Sequence, residues 1–169
     1  EWKVPYTKGM IRAIAYDKEG RVIVTQERRS FQEAKQILLT PNQTTILANG
    51  EDLCFLTITV EDENKYPVEN AMNYVSVALE GPGRLLGMDN GDSTDYDEYK
   101  TNIRKLFQGK LLAVIGSTLE EGEIKVTVSG EGLKSSTVTI VTMKSEIKQG
   151  IRVIEDFSNY SQSDKCYKT

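Results

Sequence analysis

The residues best equipped for chemistry lie in the stretch MDNGDSTDYDE, which puts Asp89, Asn90, Asp92, Asp95 and Asp97 within nine positions. Oxygen donors at that density suit Ca²⁺, which takes six to eight of them. Asp89, Asp92 and Asp95 are therefore the candidate metal ligands. The spacing departs from the EF-hand loop, because Gly91 and its successors fall out of register and no glutamate closes the twelfth position. A plain Asn90-Gly91 turn opening a surface loop explains the same letters, so no metal or other cofactor is expected. Tyr96 and Tyr99 in this stretch, with Tyr66 and Tyr74 elsewhere, offer ring faces on which the C–H groups of a sugar could stack. Trp, the usual platform for such stacking, occurs once, at Trp2.

Other chemistries are excluded by what is missing. The chain has no histidine, which removes Ser-His-Asp triads, Cys-His pairs and most zinc sites together. Cys54 and Cys166 have no metal-ligand spacing, and two cysteines do not make a disulfide framework. The remaining acidic clusters, Glu61-Asp62-Glu63 and Glu120-Glu121, sit in turns, where carboxylates are solvated or cap backbone amides. Between residues 38 and 143 there are sixteen acidic and eight basic side chains. A surface of that sign repels a phosphate backbone, so nucleic acid is not expected as a partner. Arg28 and Arg29 read as a solvated strand end that discourages edge pairing. No segment reaches the ~20 apolar residues of a membrane span, and EWKVPYTKG lacks the basic and apolar regions of a signal peptide.

The elements that must position these residues are short strands separated by turn signals, with almost no helical periodicity. In GMIRAIAYDKEGRVIVTQERRSF, Ile11, Ala13 and Ala15 alternate with their neighbours, DKEG turns the chain, and Val22-Ile23-Val24 resumes. That predicts a β-hairpin with Gly20 at positive φ. Two strands are too few for a core of their own. SFQEAKQ then marks a polar boundary. QILLTP, DLCFLTITVED, NYVSVALEG, GRLLGM, KLLAVIGS, GEIKVTVSGEG and SSTVTIVTM follow as strands. Cys54, Leu56, Ile58 and Val60 share one face, as do Val75, Val77 and Leu79, and Ile124, Val126 and Val128. About seven strands with turns every 8–12 residues predict an all-β, immunoglobulin-like Greek-key β-sandwich. The expected organisation is a hairpin unit at 1–35, a complete sandwich at 36–143, and a C-terminal extension at 144–169, docked in part or frayed. GIRVIEDFSNY in that extension offers one more edge strand.

At this point the residues resemble a known family. WKVPYTKGMIRAIAYDKEGRVI, through Trp2, Val4, Pro5, Tyr6, Gly9, Ile11 and Ala13, resembles the close of the Ig-like domain that follows the catalytic barrel in glycoside hydrolase family 2 enzymes. The stretch from LTPNQTTILANG to EGPGRLLGMDNGD, with RKLFQGKLLAVIGS and GEGLKSSTVTI, is similar to the C-terminal Ig-like domain of β-galactosidase-like members of the Bacteroidetes type. The similarity runs from Trp2 to Thr142, and EGPGRLLGMDNGD is its most specific part. It implies that 1–35 are the last strands of a second, incomplete Ig-like domain. It also implies a parent that hydrolyses O-glycosidic bonds and a periplasmic or secreted location. In that family the acid/base and nucleophile are glutamates on a TIM barrel; nothing here matches the barrel, so no catalytic residue carries over.

Glycoside hydrolysis needs two carboxylates about 5–10 Å apart across a cleft, and turn acids do not supply such a pair. The leading expectation is a non-catalytic accessory module whose partners are the neighbouring domains of the parent. A carbohydrate-binding module is the alternative, with Tyr96 and Tyr99 as candidate sugar contacts. A bacterial Ig-like adhesion or stalk module is a further one, although the chain shows no internal repeat. The hairpin, short of strands to pack on, is expected to fold back on the sandwich or to pair with a neighbouring molecule, giving a homo-oligomer.

Overall fold

The computed structural model describes residues 3–145, and every described element is a β-strand. Trp2, Cys166 and the extension from residue 146 onward lie outside the described residues. The hairpin is β1 (Met10–Tyr16) and β2 (Val22–Arg29), paired antiparallel with a bulge at Ala15/Tyr16. Its turn is set by Asp17, whose carboxylate accepts from the backbone N–H of Glu19 and Arg21, and by Gly20 at φ 79°.

Nine further strands make the sandwich. β3 (Gln36–Pro41), β5 (Leu53–Glu61), β9 (Lys110–Ser117) and β7 (Gly83–Asp89) form one sheet in the order β3-β5-β9-β7. The other runs β4-β11-β10-β6-β8, from β4 (Thr45–Leu47), β11 (Leu133–Met143), β10 (Gly122–Gly130), β6 (Tyr74–Glu80) and β8 (Ile103–Lys105). A parallel contact between Gln36 and Lys134 joins the sheets along one side. With the first strand split between the sheets as β3 and β4, this order is that of an immunoglobulin-like sandwich.

Alternation places the core. Cys54, Leu56, Ile58 and Val60 of β5 face inward beside Leu111, Ala113 and Ile115 of β9. Ile124, Val126 and Val128 of β10, with Val75 and Val77 of β6, close the interior from the opposite sheet. Burial of each Leu or Ile here contributes about 1.5–3 kcal/mol. Two glycines of EGPGRLLGMDNGD are forced by this packing. A Cβ on Gly81 (φ 96°) would lie 2.0 Å from the Glu123 carbonyl oxygen, and one on Gly83 would lie 2.7 Å from the Ile124 side chain.

Two strands escape the sequence pattern. β4 and β8 are three residues each, too short to show a period of two. The hairpin departs from expectation differently: every residue of both strands is exposed, so it does not fold back onto the sandwich. Three apolar residues outside the two strands' faces explain this, because the connecting segment docks instead, with Phe31 and Ala34 packed against the core.

Leu56→Ala, at the centre of the interior, is expected to cost about 2–5 kcal/mol of unfolding free energy, whereas Leu38→Thr on the outer surface should cost less than about 1 kcal/mol. Urea unfolding of both variants checks the assignment; equal losses would mean that the inward face is misassigned.

Candidate functional site: the loop after β7 and the hairpin junction

The acidic loop leaves β7 at Asp89 and returns at β8. Its carboxylates are turned onto the loop's own backbone. Asp89 Oδ1 accepts from Gly91 N at 2.9 Å, Asp92 Oδ1 from Thr94 N and Oγ1 at 3.0 and 2.7 Å, and Asp95 Oδ1 from Asp97 N at 2.9 Å. The Asn90 amide is buried and donates to Asp95 Oδ2 and to the Lys105 carbonyl. Hydrogen bonds from Thr94 hold the Asp92 carboxyl below its ordinary pKa. For Asp95 the same direction follows first from the Asp97 N–H, then from Asn90 and the charge of Arg104. Among the described residues, no three His, Cys, Asp or Glu are grouped to hold a metal ion.

Beneath the loop lies Arg104, whose side chain is 1 % exposed. It pairs with Asp95 at 3.3 Å, donates to the Met88 and Asp97 carbonyls, and sits 4.7 Å from the centre of the Tyr99 ring. Tyr99 also caps the edge of β7, since its carbonyl accepts from Met88 N at 2.8 Å. That approach requires Gly87, where a Cβ would lie 3.0 Å from the same oxygen. The loop is thus a plug over the open side of the sandwich. Tyr96, at its tip, is 97 % exposed; one face of Tyr99 is taken by Arg104; Tyr74 lies on β6 and Tyr66 at the hairpin junction.

The junction is the second polar centre. Asp62 is fully buried. Its Oδ1 accepts from Asn64 N and Tyr66 N at 2.8 and 3.0 Å, and its Oδ2 from Gln32 N at 2.9 Å. Burial pushes its pKa up, but the three backbone donors together outweigh that and hold it below the ordinary value. Arg28 approaches Glu69 at 3.8 Å and Arg29 lies 5.9 Å from the Tyr66 ring, so the two arginines are engaged with the sandwich surface. Cys54 is a free, buried thiol that donates to the Gln43 carbonyl, and burial raises its pKa.

Sequence reasoning did not single out Arg104, Asn90's bridging amide or the clamp role of Asp62. Arg104 had one signal: in Ile103-Arg104-Lys105 it takes the inward place of a strand, opposite Val75. What the loop and junction can do chemically is bind backbone, not activate a substrate.

Residues 37–139 match the sequence model of the family described as Glycoside hydrolase family 2 C-terminal domain 5. The chain belongs to that family. This C-terminal domain is 34 % identical over 139 residues to the β-galactosidase BoGH2A of Bacteroides ovatus, covering 82 % of the chain and 16 % of the relative. Among solved structures, a glycosyl hydrolase family 2 member from Bacteroides cellulosilyticus superposes with a TM-score of 0.79 at 28 % identity, over 86 % of this chain and 18 % of that one. A β-glycosidase from Bacteroides vulgatus gives 0.76 at 31 % identity, over 83 % and 18 %. The chain thus spans about a sixth of the relatives it matches.

Asp52, Asp62, Asp92 and Asp95 all have folded-state pKa values below the ordinary carboxylate value. Their stabilisation is therefore complete above the unfolded-state pKa and is lost as pH falls through the lower folded-state values. Melting temperature should stay level from pH 7 to about 5 and drop below about pH 4. Asp62→Asn should lower melting at pH 7 and flatten the acid drop; an unchanged acid slope would remove Asp62 from the account.

Proposed function

We propose that this domain is a non-catalytic accessory module of a β-galactosidase-like family 2 glycoside hydrolase, and that the larger polypeptide hydrolyses O-glycosidic bonds in carbohydrate metabolism. The observation that carries the reading is the identity with BoGH2A along most of this chain and only a sixth of that enzyme. The geometry agrees with it. Apolar side chains fill the space between the sheets, and the carboxylates nearest to one another bind backbone amides rather than facing each other across a cleft. A periplasmic or secreted location goes with this reading.

The hairpin supplies the physical reason for a neighbour. Ile11, Ile23, Val22 and Val24 are 58–67 % exposed on strands that nothing covers. Such a ribbon is marginal in water unless further strands pack on it. In the larger polypeptide those strands come from the adjoining domain, so the module is joined to its neighbour through a shared sheet.

The test uses three proteins: this chain, the full-length polypeptide and that polypeptide lacking the region of this chain. The chain alone should not hydrolyse an aryl β-galactoside. The shortened polypeptide should melt lower or assemble poorly while its residual folded fraction still turns over substrate. Turnover by the chain alone, or identical melting and assembly after the deletion, would overturn the proposal.

A further inference from the structure

The two outer faces of the sandwich differ in chemistry. On the sheet containing β10, outward residues pair through hydroxyls and charge: Thr127 with Thr137 at 3.1 Å, Ser76 with Ser129 at 2.9 Å, and Lys125 with Glu80 at 3.9 Å. That face is finished for water. On the sheet β3-β5-β9-β7 the outward residues are apolar across all four strands. Phe55 lies opposite Val114, Thr57 lies opposite Leu112, and Leu38 and Leu86 extend the patch to either side. Phe55, Leu38 and Leu86 are 39–45 % exposed. No charged side chain enters the centre. Arg84, Asp89, Lys110 and Glu61 ring it at the strand ends and the β7 edge. An apolar centre within a polar rim is the anatomy of an interface.

Area decides the kind of occupant. Four strands about 4.8 Å apart, with some five residues of about 3.3 Å exposed along each, give a face of roughly 300 Å². A free partner held stably needs about 800 Å² from each side. A patch of this size suits a partner whose association is made intramolecular by a covalent link, where effective concentrations reach the millimolar range. The chain already provides the link at this sheet: β3 begins one residue after Lys35, in the segment that Asp62 and Phe31 clamp between hairpin and sandwich.

We propose that the outer face of the β3-β5-β9-β7 sheet is a docking surface for an uncharged, apolar patch on the domain to which this chain is tethered. This rests on the reading of the chain as one module of a larger polypeptide, but not on that polypeptide's activity.

Phe55→Cys, made in a Cys166→Ser background, is labelled with a polar maleimide in the isolated chain and in the full-length polypeptide. Thr139→Cys, exposed on the hydroxyl-rich face, is the control. The Phe55→Cys thiol should react about as fast as the control in the isolated chain and about tenfold more slowly in the full-length protein, as a docked fraction near nine-tenths requires. The control should react equally in both. Equal rates for Phe55→Cys in both proteins would overturn the proposal. So would protection in the isolated chain that rises with its concentration, which would identify a second copy as the occupant. Leu38→Cys repeats the measurement should Phe55→Cys fail to fold. Absence of glycosidase activity in the full-length protein would sink the functional reading while leaving this outcome readable.

Discussion

Everything in this molecule depends on the strict alternation of side chains in β5, β9 and β10. Seven of their residues, Leu56, Ile58, Ala113, Ile115, Ile124, Val126 and Val128, have no exposed surface at all. A two-layer interior filled in this way leaves neither water nor space between the sheets, so function has to be carried on the outside. A one-residue slip in any of these strands would turn its apolar set to solvent, so the register is firmly specified.

The polar side chains that are buried serve that same interior. Arg104 and Asp95 close the side of the sandwich between β7 and β8, and their cost of desolvation is met by carbonyls, the Asn90 amide and the Tyr99 ring. Asp62 does comparable work at the hairpin junction, satisfying three backbone N–H groups with one carboxylate. Both centres look from their composition like places for ligands. Their lone pairs are spent on the chain itself, as buried polar groups in a stable domain must be.

How much of this the sequence makes legible follows from the range of the interactions involved. The strand faces around Cys54–Val60 and Ile124–Val128 follow from a local period of two, and the Gly20 turn follows from local backbone preference. The Asp89–Asp97 acids are visible as a cluster, but their bonding is not, because it depends on where Arg104 and Lys105 return to the loop. SFQEAKQ reads as a polar boundary, yet Phe31 within it is an anchor, a fact fixed by a core that assembles from distant strands. Three-residue β4 and β8 carry too little pattern to be seen, and their existence is owed to β11 and β6.

The account pictures a self-sufficient sandwich carrying a ribbon that is not self-sufficient. Residue-resolved amide hydrogen exchange on the isolated chain tests this most directly. Amides of β5, β9 and β10 should exchange only through global unfolding, and those of β1 and β2 should exchange orders of magnitude faster through local opening. Equal protection in the hairpin and the sandwich core would contradict the account, since it would mean that the ribbon needs no neighbour to hold it.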